Sequence, residues 1–481
     1  MKITSAAICL WATLICTSDA SDFAALTAKI PRGANAILLI DVDGALASPI
    51  ATANSWKGNL QKGAADRPMY LPPEADKIIV AAQLDEVRGF NRIWQAAVMG
   101  LKTPMPMSLI ARAEGGYADT VNGVDVAWVP SDAYFINVDS NTLGLLAPAN
   151  RQAISRWADH AKSGTRETVS EYLRIAIAEA TGGPQFVMAI DTADALQPHR
   201  IGPRLEQSEY IKSKKLNVTE LTSLMMSLQG VVLKVTLTDK IGASARIDFT
   251  DKVSLKGDDA KSLVLGALET MQMELPDVEK WTCSVGTTFI LLEGELSNNG
   301  LRRLMSLMEI PTTKFSSLKD AKIDNPSQDD ASTNSVAYFK SIDSLLKDLR
   351  EKSKSSSSDA YWIDRYAAKV DNLPILHVDD DLLEYGQNLS ATLRVMSGTR
   401  KMTNLQGGVA SRENLSQGNN FGYGYNSYGY STPKSRENAA GNSRANVAAS
   451  GTATKVQGWN LIDDATVKIR QEMTKRYNVE F

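Results

Sequence analysis

The first residues that could do chemistry lie at the end of the apolar stretch ILLIDVDGAL, residues 37–46. Asp41 and Asp43 stand two residues apart, and Gly44 follows them directly. Two carboxylates at this spacing can share a Mg²⁺ ion, or one can attack a substrate while the other transfers a proton. They can also serve the fold, because an Asp that follows a strand caps the N–H groups of a helix beginning there.

The stretch DVDG resembles the first motif of the haloacid-dehalogenase-type phosphohydrolases. The resemblance implies Asp41 as the nucleophile, Asp43 as the general acid/base, and a Mg²⁺ ion as cofactor. It also implies an acidic pair after a later strand, for which Asp379 and Asp380 in ILHVDDD are the candidate metal ligands. The chain departs from the motif at Ala45, where the family usually has Thr, and about 340 residues separate Asp41 from the acidic pair.

A recurring pattern favours a structural role for these aspartates. FVMAIDTADAL places Asp191 at a shift of 150 residues from Asp41, and AYFKSIDSLL places Asp343 at a shift of 300 residues from Asp43. Each stretch has an apolar strand, then an Asp, then the start of a helix, which an internal repeat of an α+β unit explains without catalysis. We therefore expect no catalytic residue, metal or cofactor, with the Mg²⁺-dependent phosphohydrolase as the alternative.

Other reactive side chains lack the partners that their chemistry needs. His377 stands beside the acidic run 379–381, but the two other histidines, His160 and His199, have no ligand-like spacing to it. Cys283 is the one cysteine beyond the N-terminal segment, and no His is placed to activate it, so a small buried residue is expected. The chain has no Walker loop, G-x-S-x-G, H-E-x-x-H or paired-cysteine zinc spacing.

The apolar pattern predicts an α+β protein with antiparallel sheets, because it switches repeatedly between the strand period of 2 and the helix period of 3.6. LKVTLTDKIGASARIDF, residues 233–249, predicts an antiparallel hairpin with its turn at 239–242. An amphipathic helix is expected to begin near Asp258. Both periods recur along the body, so tandem α+β units are expected.

Composition and pattern divide the chain into six segments. They are a signal peptide at 1–20, α+β units at 21–165 and 166–325, a shorter, largely helical third unit at 326–403, a disordered linker at 404–457 and a C-terminal helix at 458–481. The linker is rich in Gly, Asn, Ser and Tyr, a composition that buries too little apolar surface to order a chain. The C-terminal helix has one apolar stripe, so it is expected to dock on the folded body.

The N-terminus predicts export. Lys2, an apolar stretch ending near Ile15, and the small residues Ser18 and Ala20 form a secretory signal with cleavage after Ala20. No apolar run reaches the roughly 20 residues that span a bilayer, so no transmembrane anchor is expected. The net charge of −3 predicts no general attraction to nucleic acid.

Four stretches of the chain resemble a group of uncharacterised secreted proteins from planctomycete bacteria. They are ANAILLIDVDGALASPIA, PPEADKIIVAAQL, LAPANRQAISRW and IRQEMTKRYNVEF. The resemblance covers most of the chain outside the linker and implies a secreted α+β protein, but it carries over no activity. The sequence therefore predicts a secreted or periplasmic, non-enzymatic binding or scaffold module, whose partner is an unknown protein or a cell-envelope component.

Overall fold

The computed structural model describes residues 22–57, 71–72, 74–85, 90–163, 168–180, 183–193, 195–207, 209–214, 216–271, 273–308, 328–350, 360–371, 373, 378–397, 423–425, 431–433 and 451–481. The signal peptide expected at 1–20 lies outside these residues, as does most of the linker expected at 404–457.

The body of the molecule is built on one large sheet. Its strands are β1 Ala36–Asp41, β2 Ala75–Asp85, β3 Asn91–Leu101, β4 Tyr117–Val121, β5 Val124–Val129, β6 Ala133–Asp139, β7 Thr142–Ala147, β8 Phe186–Asp191, β9 Leu228–Leu237, β10 Ile241–Phe249, β11 Thr282–Val285 and β12 Phe289–Glu295. They form a 12-stranded sheet in the order β11-β12-β10-β9-β8-β1-β2-β3-β7-β6-β5-β4. Each neighbouring pair is antiparallel, which confirms the predicted α+β class and the hairpin of β9 and β10, whose turn lies at 238–240 rather than at 239–242.

Helices cover the sheet and form a separate layer beside it. They are α1 Phe23–Thr27, α2 Val42–Ala47, α3 Pro49–Ala53, α4 Met107–Glu114, α5 Arg151–Ser163, α6 Glu171–Ala178, α7 Pro198–Gln207, α8 Glu209–Lys214, α9 Val218–Met226, α10 Gly257–Thr270, α11 Asn298–Met305, α12 Gln328–Arg350, α13 Ala360–Asp371, α14 Asp380–Met396 and α15 Gly451–Tyr477. A short 3-10 helix spans Pro276–Lys280. The helix expected near Asp258 is α10.

Strand β1 lies at the centre of the sheet and is buried on both faces. Leu38 and Ile40 belong to the core that also holds α2, α4 and the helical layer, which is formed by α12, α13 and α14. Ile37 and Leu39 belong to the opposite core, under α1, α5 and α6. A strand covered on both faces has a continuous apolar run rather than an alternating one, which accounts for ILLI at 37–40.

The two halves of the sheet share the order of their five inner strands, and β5 and β4 extend the first half at its outer edge. In the first half the order β1-β2-β3-β7-β6 runs outward from the centre, and in the second half β8-β9-β10-β12-β11 does so. The halves meet where β1 pairs with β8. Asp41 and Asp191 each end one of the two strands that meet there, but the helix start expected after Asp191 is wrong, because Asp191 accepts a hydrogen bond from the Ala193 main-chain N in a turn and the next helix begins at Pro198. The segments expected as units at 21–165 and 166–325 thus contribute to one continuous sheet.

The third stretch, AYFKSIDSLL, is not a strand. It lies inside α12, so the prediction of a strand near Ala337 is wrong. Phe339, Ile342 and Leu346 are buried at spacings of three and four residues, which is the period of a helix. Asp343 therefore ends no strand, and its carboxylate pairs with Lys347 one turn further along α12.

The terminal helix α15 docks on the helical layer, as its apolar stripe predicted. Its four stripe residues are at most 4% exposed and belong to the same core as α12, α13 and α14; they are Ile462, Ala465, Ile469 and Met473. The helix begins at Gly451, seven residues earlier than expected, because a helix extends readily once part of it is packed. Within the expected linker, Tyr423–Tyr425 pairs with Ser431–Pro433 as a short two-stranded ladder.

Candidate functional site

Asp41 is the N-cap of helix α2. Its carboxylate Oδ1 accepts a hydrogen bond from the Gly44 main-chain N at 3.2 Å, and Lys77 Nζ on β2 lies 3.6 Å away. A Cβ atom on Gly44 would lie 2.4 Å from Asp41 Oδ2, so only glycine leaves room for the capping carboxylate. The geometry therefore explains both the Asp and the Gly of DVDG as parts of one helix cap.

Asp43 lies in the first turn of the same helix, where a negative charge suits the helix dipole. Its carboxylate accepts a hydrogen bond from Lys102 Nζ at 2.5 Å, and both side chains are about half exposed. The structure thus places Asp41 and Asp43 in one turn, as the spacing predicted, but each carboxylate has its own lysine. Together they form two surface ion pairs beside a cap.

The acidic run at 379–381 joins two helices. Asp379 caps α14 by accepting a hydrogen bond from the Asp381 main-chain N at 3.0 Å. It also accepts hydrogen bonds from Arg476 at 2.7 Å and from the Tyr477 hydroxyl at 2.8 Å, while Asp381 accepts one from Arg476 at 2.6 Å. Burial lowers the pKa of the Arg476 guanidinium, but these two carboxylates outweigh it and raise the pKa above its ordinary value. Asp380 is exposed in the first turn.

The two acidic sites do not fit a shared Mg²⁺ ion. Asp41 contacts α2 and β2, whereas Asp379 contacts α14 and α15, and the cations around them are lysine and arginine side chains. In the part of the chain that the structure describes, no three His, Cys, Asp or Glu side chains are grouped to hold a metal ion. The donor set that the phosphohydrolase motif implies is not brought together.

The remaining reactive groups stand apart from these aspartates. Cys283 lies on β11 and is half-buried, and burial raises the pKa of its thiol, which disfavours the nucleophilic thiolate. His160 is buried in α5, where burial and then the charge of Arg32 lower its pKa. His377 lies outside the described residues.

A pocket that the sequence did not indicate opens between the 3-10 helix, the start of α11 and the end of α12. Its volume is about 730 Å³, and three cations line it: Arg303, Lys347 and Arg350. Asp277 also lines it, but the carboxylate of Asp277 is engaged by the main-chain N of Ser297 at 3.2 Å and by its hydroxyl at 2.8 Å. Three segments distant in the chain form the wall, so no local motif marks it.

Arg303, which lines this pocket, and its neighbour Arg302 are both buried. Arg302 pairs with the carboxylate of Asp348 on α12. Arg303 donates a hydrogen bond to the Asp348 carbonyl oxygen at 3.2 Å, and its guanidinium lies 5.8 Å from the centre of the Trp362 ring. In the sequence, these buried charges are indicated only by the two arginines in NNGLRRLM, a short segment whose other large residues are apolar. That pattern does not indicate the pocket.

The comparisons with known proteins leave the function open. No family model matches the chain, and no curated protein matches it. Two solved structures of TP0453, a spirochete protein, are similar to part of it. Crystal form I has a TM-score of 0.34 and 12% identity over 61% of this chain and 96% of that chain. Crystal form III has a TM-score of 0.35 and 13% identity over 59% and 98%. At these TM-scores the similarity supports no conclusion about this chain's function.

Among the helices of the described residues, none is both long enough and apolar enough to cross a membrane.

Proposed function

We propose that the protein is an exported, non-enzymatic binding or scaffold module. It contacts an unknown protein or a cell-envelope component in the periplasm or outside the cell. The observation that carries the proposal is the cap at Asp41, since the residues that most resemble a catalytic motif are engaged in starting α2. A cap of this kind contributes about 1 kcal/mol of stability, which is reason enough for an Asp at this position.

Strand direction supports the same proposal. Enzymes that use strand-end carboxylates gather them from neighbouring parallel strands, whose carboxyl ends meet at one edge of a sheet. Here β2 and β8 both run antiparallel to β1, so Asp41 lies beside Lys77 at the start of β2. The residues that follow β2 and β8 lie at the opposite edge. The sheet therefore does not bring further strand-end groups to Asp41.

A phosphatase assay with matched variants tests the proposal. Hydrolysis of p-nitrophenyl phosphate and other phosphate monoesters is measured with and without Mg²⁺ for the wild type, Asp41→Asn and Asp191→Asn. Asp191 is the matched control, because it ends β8 at the equivalent position of the second half and accepts a hydrogen bond from the Ala193 main-chain N at 3.0 Å. Asn retains capping ability but cannot act as a phosphoryl acceptor.

We expect no Mg²⁺-dependent hydrolysis above background, and equal rates for all three proteins. Mg²⁺-dependent turnover that disappears in Asp41→Asn and persists in Asp191→Asn would establish the phosphohydrolase instead. The proposed location has its own test, which is the mass of the N-terminus in exported material. Cleavage after Ala20 predicts a chain that starts at Ser21, and an intact Met1 in that material would contradict export by this signal.

A further inference from the structure

We propose that the pocket between the 3-10 helix, α11 and α12 binds the oxyanion group of a small organic ligand, a phosphate or a polycarboxylate. The proposal gives the binding role stated above a site and a ligand class, and it rests on that role. The pocket volume of about 730 Å³ falls within the range of roughly 300–1,000 Å³ that is typical of small-molecule sites.

Arg303 supplies a buried positive charge at the wall of the pocket. The residue is 3% exposed, and the nearby carboxylate of Asp348 is paired with Arg302 instead. The guanidinium of Arg303 makes one hydrogen bond among the described residues, to the Asp348 carbonyl oxygen, and its Nε has no hydrogen-bond partner among them. A buried guanidinium is ordinarily matched by a carboxylate or a phosphate, because an unpaired charge is costly to desolvate. An oxyanion in the pocket would provide that match.

Two further cations stand on the same wall, one turn apart on α12. Lys347 pairs with Asp343 at 2.7 Å but is 75% exposed, and Arg350 pairs with Asp463 while 43% exposed. Exposed ion pairs contribute little to stability, so a ligand can displace them at small cost. Lys347 can therefore turn towards an anion that Arg303 binds, whereas Arg350, whose guanidinium also lies 4.6 Å from the centre of the Trp459 ring, adds a fixed positive charge nearby.

Repulsion from the one carboxylate of the lining is limited. Asp277 is fixed as a partner of Ser297, whose hydroxyl in turn accepts a hydrogen bond from the Gly300 main-chain N at 3.0 Å. This carboxylate thus contributes to the start of α11 and is partly neutralised there. The lining residues carry three cations against this one anion, although the whole chain has a net charge of −3. Lys347 and Arg350 are paired with Asp343 and Asp463, which lie outside the lining, so among the described residues Arg303 is the lining cation that no carboxylate pairs with.

Isothermal titration calorimetry on the full mature chain tests the proposal, with pyrophosphate and citrate as probes at constant ionic strength. We expect saturable binding of at least one probe. The probe with the higher affinity shows whether the pocket prefers a phosphate or a polycarboxylate. Lys347→Glu should weaken that binding by about tenfold or more, because it reverses a charge at the pocket. Lys340→Glu is the matched control, since Lys340 is an exposed residue of the same helix that does not line the pocket. It should leave the affinity unchanged.

Arg303→Met separates a ligand-binding role from a purely structural one. It should abolish binding while the midpoint of thermal unfolding without ligand stays the same or rises, because the variant removes a buried charge that no carboxylate pairs with in the described part of the chain. If Arg303→Met does not fold, Lys347→Glu still decides the matter. Absence of saturable binding, or equal affinity in the wild type and Lys347→Glu, would overturn the proposal. Either result leaves the phosphatase assay, and so the proposed non-enzymatic role, unaffected.

Discussion

Replacement of Ile469 by Ala tests whether α15 is an integral part of the folded body. Ile469 is fully buried, at 0% exposure, in the core shared with α12, α13 and α14. Removing the larger part of a fully buried isoleucine costs about 2–5 kcal/mol, from lost transfer free energy and from the cavity that remains. The matched control is Val467→Ala, because Val467 lies two residues away on the same helix and is 55% exposed. An exposed substitution of this kind changes stability by less than about 0.5 kcal/mol.

Urea unfolding followed by tryptophan fluorescence measures the difference, since Trp362 and Trp459 lie in the helical layer and on α15. We expect Ile469→Ala to lower the unfolding midpoint clearly and Val467→Ala to leave it nearly unchanged. Limited proteolysis gives an independent readout, because Ile469→Ala should release α15 under conditions in which the control retains it. Equal midpoints for the two variants would refute the account of α15 as a packed part of the core.

Two further substitutions test the electrostatics of the fold. Burial, and then the charge of Arg32, lower the pKa of His160 below its ordinary value of 6.5, so the unfolded state binds the proton more readily. Stability should therefore fall as the pH drops below about 6.5, and His160→Gln should remove that part of the loss when unfolding midpoints are compared across pH. Arg476→Met should destabilise the protein by about 1–3 kcal/mol in denaturant titrations, because it leaves the Asp379 carboxylate, which is 7% exposed, without its cation. A variant as stable as the wild type would show that the contacts of α15 with 379–381 contribute nothing.

Part of the fold was predictable because local pattern and burial agree there. The central strands β1 and β8 each combine an apolar run with a terminal Asp, and the shift of 150 residues between Asp41 and Asp191 reflects their equivalent places in the sheet. The stripe of α15 likewise predicted docking, because only one face of that helix is apolar. The prediction of a strand at AYFKSIDSLL was wrong for a physical reason, since an apolar stretch of this length fits a strand or a buried helix equally well.

Other features could not be read from the sequence, because they depend on pairings between distant segments. Nothing local indicates that β1 and β8 join the two halves into one sheet of twelve strands. The pocket around Arg303 and Lys347 is likewise formed by segments that only the fold brings together. The lysine partners of Asp41 and Asp43 come from β2 and from the residue after β3, so the sequence could not distinguish ion pairs from a metal site.

A double-mutant cycle between Asp41→Ala and Gly44→Ala tests the central claim most directly, with the free energy of unfolding as the readout. In the wild type, the new Cβ at residue 44 would lie 2.4 Å from Asp41 Oδ2, so Gly44→Ala should displace the cap, at a cost of about 1 kcal/mol that offsets the better helix propensity of Ala and leaves the stability nearly unchanged. In the Asp41→Ala background no carboxylate remains to displace. There Gly44→Ala should stabilise the protein by up to about 1 kcal/mol, because Ala forms helix better than Gly. The same effect of Gly44→Ala in both backgrounds would contradict the assignment of DVDG as a helix cap.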